Sequence, residues 1–390
     1  MPRPTLLLVL CLALAPVARA AAPPDAWPAF RGAGDSISGA KQLPLKWSAT
    51  ENVAWTVDLP GYGQSSPVVW RDKLFVTSVE GEFKDTLHVL CLDLGTGKEV
   101  WKKTFTGTQR VKTSDYVSKG APTPVVAADR VFALFESGDL FCLDHDGKEL
   151  WRRSLVKDFG PFTGPHGLGT SPVPAGDALV VLVAQGPSYL LAVDMATGKD
   201  RWRTEHNFGS SWSSPAVMTV GGRLTAVVSS SGTAAGFDVR TGERLWEVGG
   251  LTGNTVASPT PAGGLVVVGS SDRASQLALR SETKGGADRV AWRSSGATSS
   301  FGSPLVYGGY GYAVNRDGVV YCFDPATGMA VWDARLPASC WASPVGGAGR
   351  VYFFTQNGVC VVMKPGPEPD VVAENQLPVK GRVYGVAAVE

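Results

Sequence analysis

Histidine, adjacent cysteines and net charge are what this chain has least of, and each shortage narrows the chemistry open to it. The four histidines, His88, His145, His166 and His206, fall at unrelated places with no metal-ligand spacing. No two of the six cysteines are neighbours, and no C-x-x-C-H haem site, H-E-x-x-H, G-x-S-x-G or P-loop pattern occurs. Lysine and arginine (36) almost cancel aspartate and glutamate (35). With no field of one sign, steering toward nucleic acid or an anionic membrane is set aside. Beyond the first residues, no apolar run approaches the roughly 20 residues of a spanning helix.

The N-terminus reads as an export signal over residues 1–20: Arg3, an apolar run from Leu6 to Leu14, and small residues ending in Ala18-Arg19-Ala20. Cys11 follows the bulky Leu10, which argues against lipidation. The expected product is periplasmic or secreted, with an N-terminal extension over 21–50 and one repeat domain over 51–390. Glycine (47) and proline (27) punctuate segments rich in Val, Thr, Ser and aromatics, the composition of many short strands joined by tight turns.

Two landmarks recur in phase. Tryptophans stand at Trp55, Trp101, Trp151, Trp202, Trp246, Trp292 and Trp332, and prolines at Pro67, Pro124, Pro172, Pro215, Pro259, Pro304 and Pro344. A period of roughly 45 residues is that of a four-stranded blade, so the fold class expected is an all-β propeller. In Leu92-Asp93-Leu94-Gly95-Thr96-Gly97-Lys98-Glu99-Val100-Trp101, the Asp can accept turn amides and Gly97 can supply positive φ between the third and fourth strands. The turn returns at Asp194, Asp238 and Asp324, and shortened at Asp144 to Gly147. The following Trp is expected to cover the neighbouring blade and tie the two together.

This Leu-Asp-x-x-Thr-Gly-Lys-x-x-Trp pattern, preceded by Ser-Ser-Pro, resembles the repeat of the pyrroloquinoline-quinone-like (PQQ-like) propeller family. Trp27-Pro28-Ala29-Phe30-Arg31-Gly32 is similar to the opening of its exported bacterial members. The resemblance covers the whole mature chain and implies an eight-bladed ring. Seven units are complete from Ser66 to about Leu377, with Glu374 where the last Trp would stand. Val53 to Trp55 and Arg382 to Glu390 supply only pieces of an eighth blade, so the expectation is an eight-bladed type with an incomplete last blade, or alternatively seven blades.

The resemblance also raises a dehydrogenase using PQQ and calcium. Such an enzyme implies a vicinal Cys-Cys disulfide, a calcium held by Glu, Asn and Asp, and an Asp base, and the chain has neither the cysteine pair nor spare length. No cofactor, metal or catalytic residue is therefore assigned. Cys91, Cys142 and Cys322 lie two residues before a turn Asp, with Cys360 in the corresponding strand of its unit. Ala192 and Gly236 hold the same place elsewhere, so the slot favours buried free thiols. Cys340, in a loop, reads as an accessible thiol, and His88, His145 and His206 as turn or strand-surface residues.

His166 sits in the glycine-rich Gly164-Pro165-His166-Gly167-Leu168-Gly169, where it can order the loop or meet a ligand. Two residues before each Ser/Thr-Pro stand Gln64, Ala121, Gly169, Trp212, Val256, Phe301 and Trp341, with Tyr384 next. They fall at one mouth of the channel, so His166, Trp212, Phe301, Trp341 and Tyr384 form a candidate ligand rim, unless the rings simply pack on adjacent strands. The leading expectation is a monomeric, non-catalytic scaffold for a protein or cell-surface ligand. A quinoprotein dehydrogenase and a carbohydrate-binding or sensory module are the alternatives.

Overall fold

The computed structural model describes residues 23, 26–111, 120–164, 166–272, 275–282, 287–294, 296–377 and 383. The expected signal peptide, Tyr384 and nearly all of the run from Arg382 to Glu390 lie outside them.

Within these residues the chain forms seven sheets, each of four antiparallel strands in sequence order. Blade 1 shows the plan: Val68–Trp70, Lys73–Glu80, Thr86–Asp93 and Glu99–Thr106, from the channel outward. Blades 2 to 7 begin their inner strands at Val125, Val173, Ala216, Thr260, Leu305 and Val345. The middle strands bury both faces between neighbouring blades, whereas the outermost strand alternates between exposed and half-buried positions. The result is a propeller of seven blades, the alternative of the two counts. Among the described residues there is no eighth sheet, and Val53 to Trp55 form no strand.

The small-residue slot has a specific partner. Cys91, Cys142, Ala192, Gly236, Ala278 and Cys322 pair directly across the third and fourth strands with Trp101, Trp151, Trp202, Trp246, Trp292 and Trp332, and a bulge follows each pair. At Gly236 a Cβ would lie 2.3 Å from the Trp246 ring. In blade 7 the pair before the bulge is Val362 with Ala373, so Ala373, and not Glu374, occupies the tryptophan position.

Six of the seven repeat tryptophans clamp the next unit. The indole N–H of Trp101 donates to His145 O, Trp151 to Met195 O, Trp202 to Val239 O, Trp292 to Pro325 O and Trp332 to Gly366 O, at 2.7–3.2 Å. Trp55, from the N-terminal extension, does the same to Leu94 O of blade 1 at 2.9 Å. Five of these rings cover a turn glycine in the left-handed region, as Trp202 covers Gly242 (φ 75°). Trp246 differs: its indole nitrogen is buried without a partner, and the Arg289 guanidinium stacks on its ring at 4.6 Å.

Nearer the axis, hydroxyls stitch the inner strands. The backbone N–H of Ser66 donates to Thr123 Oγ1, and the chain continues through Ser171, Ser214, Ser258, Ser303 and Ser343, with every bond 2.9–3.0 Å long. These six bonds cross the six interfaces from blade 1 to blade 7. At the remaining seam, residues 27–55 act as a strap. Trp27 bridges to Val69 of blade 1 and Ile37 to Gly346 of blade 7, while Trp27, Val69 and Val345 share one apolar cluster. Leu43, Leu45 and Trp47 then cover the outer face of blade 7 at Tyr352, Val362 and Ala373, fixed by Asn375 bonded to Trp47 N and Leu45 O. Between these anchors, Arg31 crosses the channel to Thr260 Oγ1 and to the carbonyls of Pro259 and Pro304.

Candidate functional site at the channel mouth

The mouth opposite the Asp-Thr-Gly turns is built by the hairpins between second and third strands and by the segments entering each inner strand. There Trp212 lies over Gly169, the corresponding position one blade back, where a Cβ would meet the indole at 3.0 Å. Its ring N–H donates to Gly167 O at 3.1 Å, its backbone N–H donates to Thr255 O at 2.9 Å, and the His166 ring sits 5.7 Å away at 54°. Gly167, with φ 70°, lets the loop turn under the indole. His166 Nδ1 is buried with no hydrogen-bond partner.

A second platform lies three blades further round. Phe301 and Trp341 stack with centroids 4.1 Å apart and planes at 20°. Gly302 beside Phe301 is required by close approach, since a Cβ there would lie 2.7 Å from Ala342 O. All four rings are half-buried, so each has a face against protein and an edge or face left to solvent. Tyr384, the fifth rim candidate, is outside the described residues.

Two carboxylates near this mouth are already engaged. Glu136, on the second hairpin of blade 2, accepts from Gly120 N at 2.7 Å and pairs with Lys84 at 3.4 Å, both side chains buried. Asp139 accepts from Thr108 N, Thr108 Oγ1 and Ser137 Oγ. Among the described residues, no group of three or more His, Cys, Asp or Glu side chains could hold a metal ion.

Two readings need correction. Cys340 is not accessible: it is 1% exposed, its thiol points at Phe354 O and Ala342 O, and burial pushes it up to about 12. His88 is not on the surface: it is 4% exposed, in the third strand of blade 1, held between Glu80 Oε2 (2.7 Å) and Thr104 Oγ1 (3.0 Å). His145 lies in a turn, where Trp70 and Phe75 pack against it and its burial lowers its pKa. His206 follows the outer strand of blade 3 and faces Glu247. The strap and Arg31 were not legible as a channel closure. Arg31 stands in the Trp-Pro-Ala-Phe-Arg-Gly opening, but nothing local says that a side chain will reach residues some 230 positions away.

The family model for outer membrane protein assembly factor BamB, a model of PQQ-like repeats, matches residues 38–160, 85–248, 142–286 and 281–365. The chain belongs to this family. The matched stretches overlap because the repeats resemble one another, so the model can be laid on the chain in several phases. No curated protein matches the chain in sequence. Among solved structures, a europium-containing methanol dehydrogenase aligns with TM-score 0.69 at 13% identity, over 93% of this chain and 87% of that one. BamB from Moraxella catarrhalis aligns with TM-score 0.60 at 14% identity, over 85% and 92%. The PQQ-like propeller is thus shared by an enzyme and an assembly factor, and the likeness is one of fold.

Proposed function

We propose that the chain is a non-catalytic β-propeller of the cell envelope or secreted space, binding a protein partner or cell-surface ligand across its channel mouth as a monomer. The observation that carries this reading is the pair of half-buried aromatic platforms, His166 with Trp212 and Phe301 with Trp341, on one face, where no metal-holding cluster occurs among the described residues. Rigid aromatic rings give contact area at low entropic cost, which suits recognition. Among the described residues, Glu136 is engaged by Lys84 and Asp139 by Thr108 and Ser137, so neither carboxylate is free to hold a calcium ion. This supports binding over dehydrogenation.

The test is capture from an envelope extract by the mature chain, beside Trp212→Ala and Trp341→Ala. Specific capture lost in the variants at unchanged melting temperature is expected. Variants that melt lower and still capture the same partner assign the rings to packing. A quinone absorption band with dye-linked alcohol oxidation, after reconstitution with PQQ and calcium, would overturn the non-catalytic reading. Selective glycan-array binding would make the ligand a carbohydrate.

A further inference from the structure

Arg31 is 1% exposed, and every group that accepts from it is neutral. Nε donates to Ser36 Oγ (2.9 Å), Nη1 to Pro259 O (3.3 Å), and Nη2 to Thr260 Oγ1 (2.7 Å) and Pro304 O (3.1 Å). A guanidinium has five N–H donors, so one hydrogen of Nη1 is left over. Asp35 adds some favourable field, but its carboxylate is turned to the Ile37 amide at 3.0 Å. Burial lowers the Arg31 pKa to about 10, so the group is still charged at neutral pH. A buried charge without a counter-charge is costly.

Beside it, between the strap and blades 3 to 5, lies a cavity of about 140 Å³. Arg31 and Phe30 line it from the strap, and Pro174, Pro215, Val217 and Pro259 from the blades. A cavity of roughly 150 Å³ can hold a benzene-sized molecule. Five of the lining residues are prolines, which offer no N–H, so this wall is poor in donors for the three or four oxygens of phosphate or sulfate. It suits an anion with two oxygens at one end and an apolar body at the other.

We propose that this cavity binds a small aliphatic carboxylic acid as its anion, with the carboxylate facing the Arg31 guanidinium and the alkyl end against the proline wall. The acid supplies the counter-charge the fold leaves out. Because Arg31 ties the strap to blades 5 and 6 through Pro259, Thr260 and Pro304, the bound acid steadies ring closure as well.

The experiment titrates the full mature chain with propionate, with its neutral isostere propionamide, and with sulfate, at constant ionic strength, by calorimetry and thermal melting. Propionate is expected to bind one per chain and to raise Tm by about 2 °C at ten times its Kd, while propionamide and sulfate do no more than chloride. Val217→Phe, which fills the cavity and leaves the Arg31 contacts, and Arg31→Met should each lose the response. Equal binding of propionamide, no heat with propionate, or an undiminished response in a folded variant would overturn the proposal. The propionate and propionamide comparison decides even if neither variant folds.

Discussion

Gly242 lies at φ 75° with the place of a Cβ 2.5 Å from the Trp202 ring, whereas Gly264 lies at φ 88° with nothing within 4 Å. Both turns need the left-handed conformation, but only one also needs the empty space. Gly264→Ala should therefore cost about 1–2 kcal/mol of backbone strain, and Gly242→Ala a further 1–3 kcal/mol of overpacking. Urea midpoints of the two variants check the order. The cysteines make a second case. Burial raises Cys91, Cys142, Cys322 and Cys340 from 9.0 to about 12, and Cys360 also shifts upward. In the fold these thiols stay protonated where an unfolded chain would ionise. Their contribution is full below pH 9.0 and is lost as pH rises toward about 12. Melting temperature should fall across that window, and a thiol reagent at pH 8 should label the cysteines only after denaturant is added.

At the scale of the element, each blade is an ordinary four-stranded meander whose identity comes from how it meets the next. The clamp joins a Trp on the outer strand to a turn carbonyl and glycine of the following blade, and the hydroxyl bonds from Ser66 to Ser343 join the inner strands. The clamp was legible because its parts recur in phase. The small slot was legible too, but its cause was not: Cys91 and its equivalents are small because the blade's own Trp lies directly across from them. Trp246 tests the clamp. Trp202 Nε1 donates to Val239 O at 2.7 Å, while Trp246 Nε1 has no partner. Trp202→Phe leaves a buried carbonyl unpaired and should cost about 1–3 kcal/mol, whereas Trp246→Phe removes an orphan donor and should cost less than 1 kcal/mol. Equilibrium unfolding of the two variants measures the difference.

For the whole molecule, closure is the decisive step, because a blade buries its faces only against its neighbours. The seam between blades 7 and 1 is closed by the strap, which fills the place where the last blade has Ala373 instead of a clamping tryptophan. A chain beginning at residue 51 lacks Trp27, Arg31, Leu43, Leu45 and Trp47, and uncovers apolar surface on both terminal blades. It should melt lower and more broadly than a chain beginning at residue 23, and bind a hydrophobic dye. Scanning calorimetry with dye fluorescence reads both effects.

The blade, its turns, the tryptophan clamp and the family are written locally, in residues close in the chain and repeated in step. Long-range packing supplied what no repeat can encode. It set the count at seven described blades, turned the N-terminal extension into a strap, took Arg31 across the channel, buried Cys340 and paired the mouth aromatics. The reason is physical: local propensity writes each unit, but ring closure joins residues hundreds of positions apart, and only packing selects which of them meet.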